Sequence, residues 1–339
     1  MKYILNEIPV KTTNGFNINN LKIDLEIPTN LEYKKFICEN IEDIEIKYSE
    51  INNFKSNIGL DLPKALNLDI NINKSINKVI TFIYEFNDDN LVDNININCS
   101  DNINANILFK YISKTDSVHF HHLKQNINLG KNSNINITVL NLLNNNSLSF
   151  IASESTIDSH SVLNQTLIDI GGKVKVNNYK SDVKEFGNSY LNNVYLGKNE
   201  DIIDMNYYFK NIGINSLTNI ESQGVLNGHS KKAFRSTIDF ISGCSKSIGK
   251  ESENCILLSD TCISKSVPLL LCGEEDVEGA HSVSSGKIEE NKLFYIMSRS
   301  LSEEEAKRMI IMSNFNKIVS SIKDKKLEEE IENLIEMSI

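Results

Sequence analysis

The sequence predicts a mainly β protein, and three observations support this prediction. Short segments in which apolar and polar residues alternate recur between about residues 78 and 272, and alternation with a period of two sends one set of side chains inward. Asn, Asp, Ser and Gly, which favour turns, separate these segments. Proline is nearly absent from the chain, with 4 in 339 residues, and helical periodicity is scarce between about residues 78 and 272. A sandwich, a barrel or a β-solenoid has these properties.

The solenoid best explains why the alternating segments are so short and so alike, because each would be one rung stacked on its neighbour. No strict repeat period is visible, so at this point the sandwich and the barrel remain alternatives. The clearest alternating segments are Ile95–Cys99, Ile103–Phe109, Ile135–Val139, Leu148–Phe150, Ile168–Ile170, Val174–Val176 and Ile238–Phe240.

The pattern changes at both ends of the chain. Residues 1–75 are mixed and are predicted to form a small accessory region, residues 76–290 the solenoid core, and residues 291–339 a helical domain. Ser302 and Glu305 have the spacing of a capping box. An apolar stripe follows, and a second helix is predicted from about Asp324. We expect the two helices to cap the open hydrophobic end of the solenoid, and they could also offer a groove to a partner.

Composition restricts the classes of function. The net charge of -10 argues against nucleic acid as a partner. No apolar run is long enough for a membrane span, and the N-terminus lacks the features of a signal peptide. Six cysteines then suggest reduced thiols and a cytoplasmic protein. Phosphate-loop motifs are missing, so we expect no ATP binding by this chain alone. The many asparagines are interpreted as nucleotide-composition bias rather than as an asparagine ladder.

The candidate chemistry is concentrated in residues 262–309. Thiolate, carboxylate and imidazole are ligand types found in iron and sulfide chemistry. Their spacing differs from that of zinc fingers but suits positions on adjacent rungs. An acidic run alone is usually a solvated loop, and here a cysteine and a histidine flank it. The candidate cluster or metal ligands are Cys262, Cys272, Glu274, Glu275 and His281.

Other histidines and cysteines have a simpler interpretation. His119 and His121 would share one face of a strand and could form a two-ligand metal site. No cysteine or carboxylate lies nearby in sequence, so metal binding there is the less favoured interpretation. Cys99 and Cys255 sit among apolar residues and are expected to be buried structural thiols.

The stretch from Gly224 to Ile322 resembles the C-terminal half of the SufB/SufD family of iron–sulfur cluster assembly proteins. The order and spacing of the matching segments hold over roughly a hundred residues. The most specific portion reads AHSVSSGKI followed by LFYIMSR. The matching segments are Gly224–Phe240, Ile256–Asp260, Ser266–Leu271 and Glu275–Lys307.

This resemblance implies a right-handed parallel β-helix with helical terminal parts. It also implies a scaffold that assembles a transient iron–sulfur cluster at a protomer interface and delivers it to apo acceptor proteins. His281 falls on the histidine of the family's interface, and Cys262 falls where SufB-type members carry a functional cysteine. Ser282 departs from both the SufB and the SufD patterns. The segment LLLCGEEDVEGAH resembles a short subgroup that works as a homodimer, with Cys272 and a nearby carboxylate as ligands.

A separate SufC-like ABC ATPase would dock on the C-terminal helical domain and would hydrolyse ATP, so this chain is not expected to be an enzyme. The predicted contacts with that ATPase are Phe294, Tyr295, Arg299, Ile311 and Phe315. One alternative is a noncatalytic SufD-like partner that forms a heterodimer with a separate SufB. A more remote alternative is a β-solenoid carbohydrate-active protein, which the lack of tryptophan disfavours.

Overall fold

The protein is a parallel β-solenoid with a C-terminal helical region, as the sequence predicts. The computed structural model describes residues 1–11, 17–29, 31, 33–322 and 324–338. Within these ranges β1 and β2 form a separate antiparallel pair, sheet A, and two 9-stranded sheets, B and C, face each other. The strands are β1 (Lys2–Leu5), β2 (Leu21–Asp24), β3 (Ile37–Glu39), β4 (Glu45–Lys55), β5 (Asp61–Ile72), β6 (Val79–Phe86), β7 (Leu91–Cys99), β8 (Asn104–Ser113), β9 (Phe120–Leu129), β10 (Asn134–Leu142), β11 (Leu148–Ile157), β12 (Val162–Asp169), β13 (Val174–Val183), β14 (Asn188–Gly197), β15 (Ile202–Asn211), β16 (Leu217–Leu226), β17 (Lys231–Phe240), β18 (Ser247–Leu257), β19 (Ile263–Cys272) and β20 (Val277–Gly286).

Successive strands alternate between the two sheets. The even-numbered strands from β6 to β20, together with β3, form sheet B, and the odd-numbered strands from β5 to β19, together with β4, form sheet C. Equivalent positions on successive rungs of sheet B are Asn104, Asn134, Val162 and Asn188. The rungs between them are therefore 30, 28 and 26 residues long. This variable rung length explains why no strict repeat is visible in the sequence.

The space between the sheets holds the main hydrophobic core, which runs from Phe36 to Cys255. Cys99 and Cys255 belong to this core, with exposures of 6% and 1%, which confirms their prediction as buried thiols. Every second residue of each strand points into this space, as the period-two alternation requires. Strands β4 and β5 already pair within sheet C upstream of residue 76. The domain limits themselves stay a prediction.

The N-terminal segment packs on the outer face of sheet C. Arg235 points outward from β17, forms a buried ion pair with Asp204 and donates to the carbonyl of Ile18 at 3.0 Å. Asn6 donates through Nδ2 to the same aspartate at 2.7 Å. The buried guanidinium therefore has both a carboxylate and a carbonyl partner, as a buried charge requires. This cluster fixes the first residues of the chain to the solenoid.

The helices do not cap the solenoid, and that prediction was wrong. Helix α1 spans Glu290–Met297, α2 spans Glu303–Val319 and α3 spans Lys325–Ser338. Apolar residues of α2 and α3, among them Ile311 and Ile331, pack on the outer face of sheet B, against residues such as Leu140 and Val194. The capping box of Ser302 and Glu305 is present at the start of α2, as predicted. The helices lie along the side of the solenoid because sheet B is apolar on its outer face as well.

Stacked asparagines contradict the interpretation that composition bias, and not an asparagine ladder, accounts for the asparagine content. Asn136 donates to Asn106 at 2.7 Å and accepts from Asn164 at 2.9 Å on sheet B. Asn128, Asn98 and Asn71 form a similar row on sheet C. Stacked amides in register satisfy one another's donors and acceptors. The ladders are therefore part of the fold.

None of the helices in the described ranges is long and apolar enough to cross a membrane.

Candidate functional site

The C-terminal end of the solenoid carries the candidate ligands on two terminal strands. β19 pairs only with β17, and β20 pairs only with β18, among the described residues. Most of β20 is exposed, whereas the strand before it in the same sheet is largely buried. Pro268, within β19, is a residue that sheets tolerate mainly at edges. The end of the solenoid is thus an open mouth with two free strand edges.

Cys272 lies at this mouth. It is the last residue of β19, is exposed, and is in register with the core residue Phe240. Its side chain therefore turns toward the interior side of sheet C. Cys262 precedes β19, where its Sγ lies 3.5 Å from the carbonyl oxygen of Gly228. Ten residues at the rise of an extended strand separate the two cysteines by about 30 Å. One chain therefore does not bring Cys262 and Cys272 together.

The acidic loop between β19 and β20 is tied to the preceding turn. Glu274 accepts from the backbone N–H of Gly243 at 2.9 Å, and Asp276 accepts from the hydroxyl of Ser245 at 2.6 Å. The bond from Gly243 and one from the N–H of Glu275 lower the pKa of Glu274, so it stays a carboxylate. Glu275 is exposed. Glu274 thus has a structural role in this loop, whereas Glu275 is accessible.

His281 lies on β20 and faces the interior at the mouth. A Cβ at Gly279, two residues before it, would point at the interior residues Leu270 and Phe240, and Val277, four residues before it, packs against the core. It remains exposed because no further rung covers it. Four residues of extended strand place it about 13 Å along β20 from Val277, which follows the acidic loop. Cys272 and His281 therefore share the mouth without touching.

A buried carboxyl lies one rung beneath His281. Glu251 is the register partner of His281 and accepts from the hydroxyl of Ser236 at 2.8 Å. Burial raises the pKa of Glu251 to about 8, which holds it protonated at neutral pH. The side chain directly beneath the histidine is therefore a neutral polar group rather than a charge.

A buried ion pair completes that floor. Lys232 and Glu253 pair with no exposed side-chain surface, and Glu253 also accepts from Tyr195 at 2.6 Å and from Ser266 at 2.7 Å. Ser266 is on β19, so this network fastens the terminal strand to the rungs below. Three hydrogen-bonding partners offset the cost of desolvating the carboxylate.

These interior groups were missed in the sequence. Lys232 and Arg235 belong to a short basic stretch, and both are buried in ion pairs, on opposite faces of β17. The signal that could have found them is the alternation itself. Lys232 and Ser236 occupy interior positions of β17, in alternation with the core residues Phe234 and Ile238.

No group of three or more His, Cys, Asp or Glu side chains in the described part of the chain could hold a metal ion. This applies to the mouth and equally to the histidine pair. His119 and His121 do lie on one strand face, and both are fully buried against Phe86. His121 contacts Asp93 at 3.2 Å, and Tyr111 donates to the same carboxylate at 2.7 Å. The pair is therefore part of the packed interior.

The predicted partner contacts divide into two groups. Phe294 and Tyr295 on α1 are 74% and 58% exposed, and the guanidinium of Arg299 lies 4.9 Å from the ring of Tyr295. Ile311 and Phe315 are fully buried between α2 and sheet B. Their prediction as partner contacts was wrong, because their apolar stripe faces the solenoid.

The family model described as "SUF system FeS cluster assembly, SufBD core domain" matches residues 82–314. The match covers the rungs from β6 onward, the mouth and most of α2. The chain belongs to the SufBD family. The resemblance noted in the sequence is thereby confirmed, and it extends over the earlier rungs, which carry no diagnostic motif.

Members of the SufBD family with curated names are similar to this chain over part of their length. A SufBD family protein of Pyrococcus horikoshii is 32% identical over 177 residues, which are 51% of this chain and 39% of the relative. The SufD protein of Bacillus subtilis is 25% identical, over 43% of this chain and 33% of the relative. The SufD protein of Escherichia coli is 21% identical, over 67% of this chain and 54% of the relative. The chain thus matches about a third to a half of these relatives.

Proposed function

We propose that this SufBD family protein is a scaffold subunit that builds an iron–sulfur cluster between two protomers. The observation that carries the proposal is the open mouth of the solenoid. Its two terminal strands have free edges and expose Cys272 and His281, while no complete metal site exists within the described part of one chain. A second protomer placed against the mouth would supply the missing ligands.

The free edges themselves favour such a partner. Unpaired strand edges expose backbone donors and acceptors, and proteins usually cover or disrupt them. β19 adds partly exposed apolar residues, including Ile263 at 43%, and Val283 on β20 is 36% exposed. A second copy would satisfy the edges and bury this surface in an isologous interface. Cys262, about 30 Å from Cys272 by strand geometry, would join the same site only through a contribution from the other copy.

The chemistry of the mouth suits a cluster that must be released. A thiolate is a strong iron ligand, and imidazole or carboxylate ligands give more labile coordination. Among the acids, Glu275 is the more available, because the carboxylate of Glu274 is held by backbone N–H groups.

We further propose that a SufC-like ABC ATPase docks on α1 and supplies the ATP hydrolysis. Phe294, Tyr295 and Arg299 form an exposed apolar and cationic surface beside the last rung. Replacing Phe294 and Tyr295 with Ala should weaken binding of the ATPase, as measured by calorimetry. Met337→Ala, which removes an 81% exposed side chain from α3, is the matched control.

The test of the scaffold function is anaerobic reconstitution of the dimer with iron and sulfide in the presence of the ATPase. We expect Cys272→Ser and His281→Ala to lose most of the cluster absorbance, and Cys99→Ser, in the core, to retain it. Cluster formation that is unchanged in both mouth variants would refute the assignment of the site.

The second candidate is a SufD-like subunit that pairs with a separate SufB. Two of the relatives named above are SufD proteins, which favours keeping this candidate. It predicts that the chain and the ATPase together form no cluster until a SufB protein is added. The same reconstitution therefore separates the two candidates. Membership of the SufBD family argues against a carbohydrate-active protein.

A further inference from the structure

A crevice of about 420 Å³ separates the last rung of sheet B from the helical region. Its walls come from β18, the end of β20, the link into α1, and α2. None of the proposed cluster ligands lines it. The residues that matter for its chemistry are Asn254, Ser284, Glu289, Lys292, Asn314 and Lys317.

A chain of hydrogen bonds ends in this crevice on an unused donor. Ser284 donates to Asn254 at 3.0 Å, and Asn254 donates through Nδ2 to the side-chain oxygen of Asn314 at 3.1 Å. The Nδ2 of Asn314 has no hydrogen-bond partner, although the residue is only 8% exposed. A buried amide N–H without an acceptor is costly and uncommon in folded proteins. Asn314, which lines the crevice, therefore carries a hydrogen-bond donor that no acceptor of the described residues satisfies.

The start of α1 adds further donors at the same place. Leu293 makes the first helical hydrogen bond, to Glu289, so the N–H groups of residues 290–292 have no acceptor within the helix. No side-chain cap is formed by Glu289. An uncapped helix start presents N–H groups and a partial positive charge, and it favours anions.

The charges around the crevice favour an anion as well. Lys292 and Lys317 line it, and neither forms an ion pair within the described ranges. Lys287 also lines it but is paired with Asp260. The opposing charge comes from Glu289 in the lining and from Glu290 in the first turn of α1. The crevice thus has two ammonium groups available to an anion, in a protein with a net charge of -10.

We propose that this crevice binds an oxyanion of the phosphate class. Lys292 and Lys317 would supply charge, and the Nδ2 of Asn314 with the first N–H groups of α1 would supply directed hydrogen bonds. A group with several acceptor oxygens satisfies all of these donors at once. The volume also admits a diphosphate. This inference does not depend on cluster assembly, because no proposed cluster ligand contributes to the crevice.

The test uses inorganic phosphate and pyrophosphate against the full-length protein, with chloride at matched ionic strength as the reference. Calorimetry should show saturable binding of at least one of the two anions to the wild type. The thermal midpoint should rise with the same concentration dependence, because a ligand that binds only the folded state stabilises it.

Asn314→Asp replaces the free donor with an acceptor of the same shape, and we expect about tenfold weaker binding, in line with loss of one charge-assisted hydrogen bond. Lys292→Gln with Lys317→Gln should weaken binding at least as much, and these surface changes keep the test valid if Asn314→Asp folds poorly. Lys307→Gln, which removes a lysine of α2 that pairs with Glu303, should leave binding unchanged. Absence of saturable binding, or equal binding by the control and the crevice variants, would overturn the proposal.

Discussion

At the scale of single residues, burial determines the protonation state of His122. Burial lowers the pKa of His122 to about 3, and its Nε2 lies 2.5 Å from the hydroxyl of Ser56. The ring also packs between Phe54 and Phe150. The charged form is disfavoured only in the folded state. The contribution of His122 to the free energy of unfolding is therefore fully present above the unfolded pKa of about 6.5, and it is lost progressively as the pH falls toward 3.

His122→Gln should therefore make unfolding less sensitive to acid. Between pH 7.5 and pH 5, the wild type should lose about 2 kcal/mol more of its free energy of unfolding than the variant, which lacks the titrating ring. Urea unfolding at the two pH values measures this difference. Parallel losses in the two proteins would show that His122 does not contribute to acid sensitivity.

Gly224 has no room for a side chain. A Cβ at this position would lie 1.9 Å from the ring of Tyr195, whose hydroxyl is held by Glu253 at 2.6 Å. Gly224→Ala should lower the free energy of unfolding by about 1–3 kcal/mol, the usual effect of overpacking an interior. In Gly286→Ala the new Cβ meets no atom within 4 Å, so this control should stay close to the wild type. Equal stability of the two variants by urea unfolding would contradict the close packing of Gly224 on Tyr195.

At the scale of elements, the asparagine ladder contributes stability that composition alone does not reveal. Asn136 makes two ladder bonds, so Asn136→Ala should lower the free energy of unfolding by about 1–2 kcal/mol. Asn219 lies in the same column but is separated from the ladder by Tyr190. Asn219→Ala is thus the matched control, with a smaller expected loss. A larger loss for Asn219→Ala in chemical unfolding would show that the ladder is not stabilising.

The elements also show how far the sequence determines the fold. Alternation predicted the strands, and the capping box at Ser302 predicted the start of α2, because both depend on local geometry. α1 was missed because its N-cap, Glu289, makes no capping bond. The packing of the helices was mispredicted because an amphipathic stripe does not say which apolar surface it contacts. The apolar outer residues of sheet B, such as Val194 and Val225, were the available signal.

At the scale of the whole molecule, the sequence pointed to one region for the candidate ligands but did not give their geometry. Cys272 and His281 were predicted together and do share the mouth of the solenoid. Cys262 was grouped with them by sequence distance, yet an extended strand carries it about 30 Å away. Ten residues in a loop or a helix would span a much shorter distance. The wide separation of Cys262 from Cys272 therefore depends on β19 being one straight strand. The ion pair of Lys232 and Glu253 depends on rungs that only the fold brings together.

The most direct test of cluster assembly between two protomers is a mixing experiment under anaerobic conditions. Cys272→Ser and His281→Ala variants are each reconstituted alone with iron, sulfide and the ATPase, and then as a mixture after subunit exchange. If a site combines Cys272 of one copy with His281 of the other, each mixed dimer retains one intact site. We predict that the mixture regains cluster absorbance that neither variant shows alone. Absorbance in the mixture no higher than in the separate variants, with exchange verified by differently tagged subunits, would contradict assembly across the interface.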